Sequence, residues 1–477
     1  MRYTRIFNFV VILAITSIFY TSCTPKLVQK TENKKTPMNY NNSQDTSNIA
    51  KNKWQEFFTD PYLRTLIDTA LKNNQELNIT LQEIVIARNE ARARKGDYLP
   101  FLNIGAGAGI SKEGRYTRFG AVDANTDIKP GTKIPDPLPN FVIGSSFSWE
   151  TDIWRKLRNS RKSAMLRYLA STEGKNFMVT RLIAEIANSY FELLALDNQL
   201  EILKKNIEIQ QNALNIVRQL KNAAKVTELA VSRFEAEVAK NQSLLFYISQ
   251  KITETENNIN FLAGRFPEPI LRNSKTFSDL VPKTIRQGIP SQLLENRPDI
   301  RRAEQEVAAA KLDVKIAKAN FYPNFKISAG VGYQAFNPKF LFQSPESILY
   351  YATGELIAPL INRNGIKAFY YTANARQIQS VYNYERTILK AYIEVVNQLA
   401  NIQNLENSYQ LRSKQVDALN HSINISTGLF QSARADYMEV LLTQRDALDS
   451  RFDLIETKKQ QMHAVVNIYQ SLGGGWY

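Results

Sequence analysis

Two stretches of the chain alternate strictly between apolar residues and small or polar ones. In the first, Leu102 to Ile110, every second residue is apolar, and the residues between are Asn103 and glycines. The second, Phe325 to Tyr333, repeats this arrangement, and a proline precedes each stretch. A period of two predicts a β-strand with one apolar face. Two copies of one uncommon arrangement predict a duplicated unit.

Each of these strands is followed by a polar loop and a second strand, so the sequence predicts two β-hairpins. The first covers about residues 101–149, with residues 111–140 as its loop. The second covers about residues 325–360. Its last strand, about 349–360, alternates poorly, and we predict it partly by analogy with the first copy.

After each hairpin the apolar period changes to seven. Residues 175–263 contain no proline and no glycine. Apolar residues recur in steps of seven in both copies, which correspond at one constant offset: Ile186, Leu193, Leu200, Ile207 and Leu214, then Val395, Ile402, Tyr409, Val416 and Ile423. This spacing predicts coiled-coil helices. We expect two helical hairpins, about 159–264 and 364–472, which reverse near 221–227 and 428–436.

The second reversal carries a helix-start signal. Asp436 is followed three residues later by Glu439, the spacing of a capping box, in which the two side chains satisfy backbone N–H groups at a helix start.

The N-terminus has the features of an exported lipoprotein. Two arginines precede an apolar run, 6–20, that is too short to span a membrane and fits a signal peptide over residues 1–22. The Tyr-Thr-Ser-Cys sequence that follows resembles a bacterial lipoprotein processing box, so we predict a covalent lipid on Cys23. Residues 23–52 are rich in Lys, Asn, Thr and Ser, and predict a lipidated flexible tether that buries no core.

The rest of the chain divides into three parts. A first repeat covers residues 53–264 and a second covers residues 297–477. Between them, residues 265–296 contain several prolines and little periodicity, and we expect a connector with short elements. The fold class is therefore mixed and mainly α, with two repeats of β-hairpin and long helical coiled coil.

Composition limits the chemistry. The net charge of +15 is dispersed along helical runs, which disfavours nucleic-acid binding. A single cysteine excludes an intramolecular disulfide and a cysteine-cluster metal site, and two histidines, His421 and His463, make a histidine site unfavourable. No nucleophile–base pattern or phosphate-binding glycine loop occurs. We therefore expect no enzyme activity, no metal and no cofactor besides the lipid.

The strands indicate a membrane assembly. Four strands cannot close a membrane barrel, which needs about eight. Either the strands form a soluble sheet, or several chains share one barrel. Strands of about nine residues match a tilted crossing of the bilayer, and lipid offers no partner to an open sheet edge. Together with the export signal, this favours the shared barrel.

Three segments carry a family resemblance. Residues 289–304 (IPSQLLENRPDIRRAE) resemble the motif of the TolC-like outer membrane efflux proteins, in the lipoprotein branch that serves resistance–nodulation–division pumps. Residues 149–158 (WETDIWRKLR) resemble the end of a strand in that branch, and residues 435–448 (ADYMEVLLTQRDAL) resemble its inner hairpin tip. Arg155, Ala224 and Ala433 stand where the family usually has glycine.

The resemblance implies a homotrimer in which twelve strands form one barrel in the outer membrane, on an α-helical tunnel that extends into the periplasm. It implies a passive, gated exit duct for small molecules, opened when a periplasmic adaptor protein and an inner-membrane resistance–nodulation–division pump dock.

The resemblance also suggests site residues. Asp436 lies at the inner hairpin tip, where three copies bring carboxylates together, and Arg434 and Tyr437 flank it as links that hold the gate closed. The alternative is that Asp436 is a helix cap and that its neighbours contact the adaptor. The signature residues Arg297, Pro298, Asp299 and Arg301 are interpreted as structural, with Asp299 in a first helical turn.

Two other functions remain open from the sequence. One is a lipid-anchored periplasmic coiled-coil scaffold without a pore, which explains the heptads and the lipid but not the paired strands. The other is an exit duct whose cargo is metal ions or secreted protein.

Overall fold

The structure, a computed structural model, describes residues 24–40, 46–281, 285–432 and 434–476. The helices, in chain order, are α1 (Trp54–Phe57), α2 (Pro61–Asn73), α3 (Gln75–Tyr98), α4 (Arg118–Asn125), α5 (Lys156–Asn222), α6 (Glu228–Leu262), α7 (Leu293–Asn296), α8 (Pro298–Ala319), α9 (Asn364–Gln431) and α10 (Tyr437–Ser471). The strands are β1 (Phe101–Ser111), β2 (Asp127–Lys129), β3 (Thr132–Lys133), β4 (Leu138–Thr151), β5 (Asn324–Ala335) and β6 (Ile348–Ile357). Within the described residues, none of the helices combines the length and the apolar character needed to cross a membrane.

The predicted fold class is confirmed, because the chain is mainly helical and the paired strands and long helices of the two copies correspond. The ends of α5 and α9 are separated by the same offset as the heptads, and so are the starts and the ends of α6 and α10. The correspondence seen in the sequence is therefore a correspondence of whole helices. Strand β6, which was predicted partly by analogy, is present and ends at Ile357, just before Ala358 and a proline.

The chain forms two compact units, and each contains parts of both repeats. The first, which we call the strand unit, comprises residues 24–31, 85–168 and 305–381. The second, the helical unit, comprises the described residues within 32–84, 169–304 and 382–476.

In the strand unit, four strands form one antiparallel sheet in the order β1-β4-β5-β6. Strands β4 and β5 pair across the two repeats, with Trp149 opposite Ile327. Strands β1 and β6 are the two edges, and their large apolar side chains are exposed, with Ile104 at 82% and Tyr350 at 82%.

The first hairpin differs from its prediction in the loop. Residues that we expected to be irregular contain α4 and the short hairpin β2–β3. Thr117 caps α4, because its side chain accepts a hydrogen bond from the N–H of Gly120 at 3.1 Å. A short helix among Gly, Asp and Thr has too brief a periodic pattern to be recognised.

In the helical unit, the heptad residues are buried or half-buried. Ile186, Leu193 and Val395 are fully buried. A satellite cluster joins α5, α6 and α10 through Leu196, Leu203, Ile248 and Leu448. The seven-residue period therefore reports side-by-side packing of helices, as expected of coiled coils.

The prediction that the N-terminal segment is a tether that buries no core is wrong in one respect. Residues 24–40 form no helix or strand, but Tyr40 is fully buried in the helical unit and stacks on Tyr392 with ring centroids 5.6 Å apart. Lys34 pairs with Glu304 at 2.5 Å, and the N–H of Asn33 donates to Glu385 at 3.1 Å. One large aromatic side chain can dock an otherwise polar segment, which average composition does not reveal.

Candidate functional site

The turns of both helical hairpins share one backbone hydrogen bond at equivalent positions. In the first, the N–H of Lys225 donates to the carbonyl of Leu220 at 2.9 Å, and a second bond from the N–H of Ala224 completes a Schellman turn. In the second, the N–H of Arg434 donates to the carbonyl of Leu429 at 2.8 Å, at the equivalent position of the other repeat. Ala433, in the second turn, lies outside the described residues. Ala224 has a φ of 57°, the left-handed conformation that glycine normally supplies. An alanine therefore forms the turn that a glycine would form without strain.

The predicted gate residues lie at the second of these turns. Asp436 occupies the N-cap position of α10, and its carbonyl accepts the N–H of Glu439 at 3.1 Å. Its side chain is exposed and makes no capping hydrogen bond, so the predicted capping box is wrong. Arg434 is exposed and Tyr437 is half-buried. The carboxylate of Asp436 is therefore left in solvent at the tip, where it is available to a partner.

A hydrophobic cluster holds the two tips side by side, and we call it the tip cluster. Its buried members come from both hairpins, with Tyr437 and Met438 packed against them: Leu214, Val217, Ala230, Val231, Phe234, Val238 and Leu441. In addition, Arg233 contacts the sulfur of Met438 at 3.2 Å. The residue after the candidate gate aspartate is thus anchored in the tip cluster, which fixes where Asp436 lies.

The signature residues form a separate site in the helical unit. Arg297 directly precedes α8, which begins at Pro298, the helix position where a proline fits best. The guanidinium is buried and donates to Asp299 at 2.7 and 3.0 Å, to Glu394 at 2.7 Å and to the carbonyl of Ser471 at 2.9 Å. Burial opposes its charge, but the hydrogen bonds and charges of the two carboxylates outweigh burial and raise the pKa of Arg297 above its ordinary value.

Arg301 joins the same region from the next turn of α8. It pairs with Glu173 at 2.6 Å and lies over the ring of Trp476, 5.2 Å from its centroid. The indole N–H of Trp476 in turn donates to the carbonyl of Asn296 at 3.0 Å. Arg297 and Arg301 therefore tie the start of the second repeat to α9, to α5 and to the end of the chain, a geometry that favours the structural interpretation.

Sequence reasoning missed Glu394 and the role of two glycines. Gly264 and Gly473 follow α6 and α10, with φ of 69° and 92°. A Cβ atom on Gly264 would lie 2.3 Å from the carbonyl oxygen of Asn73, and one on Gly473 would lie 2.5 Å from that of Asn296. In each repeat, the backbone just before the helix that leads into the first strand thus touches a glycine at the end of a helical hairpin. The shared offset of the two glycines was the available signal.

Two further expectations from the sequence concern the lipid on Cys23 and the presence of a metal. Cys23 is outside the described residues. Among the residues that the structure describes, no group of three or more His, Cys, Asp or Glu side chains is arranged to hold a metal ion.

Comparison with known proteins gives matches along most of the chain. A family model described as outer membrane efflux protein matches residues 66–265 and 289–474. The pyoverdine export outer membrane protein OpmQ of Pseudomonas aeruginosa is 28% identical over 433 residues, which cover 91% of this chain and 89% of OpmQ. A Salmonella typhimurium protein named probable outer membrane lipoprotein SilC is 25% identical over 452 residues, 95% of this chain and 93% of SilC. The crystal structure of the open MtrE outer membrane channel of Neisseria gonorrhoeae has the same fold, with a TM-score of 0.82 at 21% identity, covering 95% of this chain and 99% of MtrE.

Proposed function

The chain belongs to the outer membrane efflux protein family, and on that premise we propose that it is the exit duct of a tripartite efflux system. It assembles as a homotrimer, and it works with a periplasmic adaptor protein and an inner-membrane resistance–nodulation–division pump. Small molecules pass through it passively, and it catalyses no reaction.

The observation that carries this proposal is the four-stranded sheet. Its edges, β1 and β6, belong to the two different repeats, and apolar side chains on both are exposed. A membrane barrel needs about eight strands or more and has no free edge. Three chains joined edge to edge, β6 of one to β1 of the next, supply twelve strands and pair every edge.

The anchor is a covalent lipid on Cys23. The processing box in the sequence supports it, and so does the name of the relative SilC, an outer membrane lipoprotein. Acyl chains contribute about 0.8 kcal/mol per buried methylene, so two or three chains hold a protein firmly at a membrane.

The gate is the ring of three Asp436 carboxylates at the hairpin tips, with Arg434 and Tyr437 as links between hairpins. The exposed, uncapped carboxylate and the tip cluster that fixes its position support this role. Like charges at close range repel one another, and a bound cation or a neighbouring guanidinium relieves that repulsion.

The test is a mass measurement of the detergent-extracted, lipidated protein together with its conductance in a planar bilayer. We expect a complex of three chains that forms discrete ion-conducting channels. A monomer in detergent, or a trimer that inserts without conducting, would overturn the proposal, and the second result would point to the scaffold function.

A further inference from the structure

The four places where a strand of the sheet meets a helix are unusually rich in positive charge. Within ten residues of the strand ends, on the helix side, the sequence has two acidic residues, Asp97 and Asp152. In the same windows it has eleven basic residues: Arg92, Arg94, Lys95, Arg155, Lys156, Arg158, Arg161, Lys315, Lys318, Arg363 and Lys367. We call these eleven residues the basic belt.

The register of the sheet places all four junctions at one end of the strand unit. Phe101, at the start of β1, lies opposite Ser148 near the end of β4, and Thr151 lies opposite Phe325 at the start of β5. The end of β6 faces the start of β5 in the same way. The four junctions therefore lie at one end of the sheet, although the residues of the basic belt come from four separate parts of the chain.

The strand unit itself neutralises little of this charge. Arg94 pairs with Glu90 at 2.9 Å and with Asp97 at 3.3 Å. Asp152 accepts hydrogen bonds from the N–H groups of Leu157 and Arg158 at 2.9 Å each, and pairs with the side chain of Arg158 at 3.0 Å.

Eight of the eleven belt residues make no ion pair with any residue that the structure describes: Arg92, Lys95, Arg155, Lys156, Arg161, Lys315, Lys318 and Lys367. Arg363 donates to the carbonyl of Phe321 and lies over its ring.

Several of these cations lie where helix formation alone would disfavour them. Lys156 is in the first turn of α5 and Lys367 is in the first turn of α9, where the helix dipole is positive and acidic residues are preferred. Neither first turn contains an acidic residue. Arg155 has a φ of 60°, a conformation that costs a non-glycine residue about 1–2 kcal/mol.

Aromatic residues mark the same level of the strand unit. The indole N–H of Trp149 donates to the carbonyl of Tyr98 at 3.2 Å. Trp154 stacks on Tyr322 at 4.7 Å and donates to the carbonyl of Pro323 at 2.7 Å. Tryptophan and tyrosine are enriched where a membrane protein crosses the headgroup region, so the basic belt lies beside headgroups.

We propose that the basic belt binds the anionic headgroups of phospholipids in the periplasmic leaflet of the outer membrane. The inference rests on the membrane placement in the proposed function and not on efflux. A single lysine or arginine near an anionic membrane surface raises the local preference for the anionic lipid by about fivefold. The cations without an ion pair therefore attract anionic lipids, which surround the junctions.

The test uses the full-length lipidated protein in phosphatidylcholine vesicles containing a trace of spin-labelled lipid. Electron spin resonance measures how strongly labelled phosphatidylglycerol and labelled phosphatidylcholine associate with the protein boundary. We expect a preference for phosphatidylglycerol of about fivefold or more at about 10 mM salt, falling towards one at about 1 M salt, where the screening length is about 3 Å.

Two matched double variants assign the preference to the basic belt. Lys156→Gln with Arg161→Gln should lower it severalfold. Lys204→Gln with Lys414→Gln removes the same charge from exposed, unpaired positions of the helical unit and should leave it unchanged. No preference in the wild type, or equal losses in both variants, would overturn the inference.

Arg155→Gly separates lipid binding from a structural role. Glycine relieves the left-handed backbone, so the melting temperature should rise while the phosphatidylglycerol preference falls. A higher melting temperature with an unchanged preference would count against the basic belt. A preference abolished by inorganic phosphate, but not by sodium chloride of equal ionic strength, would indicate a free-phosphate site and also overturn the inference.

The conductance of the same preparation is measured in a planar bilayer. Channels that conduct but show no lipid preference would refute only the basic belt. A lipid preference without conductance would refute only the exit duct.

Discussion

Replacing Arg297 with methionine tests whether the signature residues act as a structural junction. Methionine is unbranched and apolar and can fill the space of the aliphatic part of the arginine, so the variant removes the charge and the hydrogen bonds. The guanidinium makes two bonds to Asp299, one to Glu394 and one to the carbonyl of Ser471, and its side chain is only 7% exposed. Arg297→Met therefore leaves two carboxylates without their shared partner.

The size of the loss follows from the exposure of those carboxylates. Removing one partner of a buried ion pair lowers the unfolding free energy by about 3–5 kcal/mol, because the other charge stays buried without a partner. The side chains of Asp299 and Glu394 are 21% and 34% exposed, so water can partly hydrate them. We therefore expect the lower end of the range, about 3 kcal/mol of unfolding free energy per chain.

The assay is denaturant unfolding of the detergent-solubilised protein, followed by its helical circular dichroism. Arg302→Met is the matched control, because Arg302 is an exposed neighbour on the same helix, and it should change stability by less than about 0.5 kcal/mol. Single-channel conductance of the folded fraction should be unchanged in both variants. Equal stability losses in the two variants, or an altered conductance in Arg297→Met alone, would refute the structural assignment.

Three further predictions concern the hairpin tips and the core. Asp436→Ala should raise channel conductance with little change in melting temperature, since the side chain makes no cap bond; unchanged conductance would contradict the gate. Ala224→Gly should raise stability by about 1 kcal/mol, measured by denaturant unfolding, since glycine relieves the φ of 57°; a destabilised variant would contradict the strained turn. Burial lowers the pKa of His463 below its ordinary value of 6.5, against its hydrogen bond to the carbonyl of Asn188. The unfolded chain then takes up the proton first, so the melting temperature should fall as pH drops below 6.5, and His463→Gln should weaken that fall; an identical decline in both proteins would exclude His463 as its source.

The repeat could be predicted because both of its periods survive in the sequence. The apolar alternation at 102–110 lies in a strand with an exposed apolar face, and the heptads from Ile186 to Leu214 lie in one continuous helix. The constant offset between the two copies located the second reversal as well as the first. Periodicity reports burial and register, and these are what a duplicated fold preserves.

Contacts between distant parts of the chain could not be predicted in this way. Arg297 and Glu394 are 97 residues apart in sequence, and nothing at position 394 distinguishes that glutamate from others on a helix surface. Tyr40 lies in a polar segment whose composition predicts disorder, yet it is fully buried. The spacing of Asp436 and Glu439 fits a capping box, but a side chain at an open tip can remain hydrated instead.

The two hairpins are unequal at the end of the sheet opposite the basic belt. Twenty-six residues separate β1 from β4, whereas twelve separate β5 from β6. All the surplus, including α4 and the β2–β3 hairpin, falls in this outer loop, and the strand pairing below it stays in register. The extra residues thus lie where, in the proposed assembly, the chain faces the cell exterior, and the strand pairing of the channel wall is unaltered. Residues 112–137 are therefore the place to graft an epitope or an affinity tag.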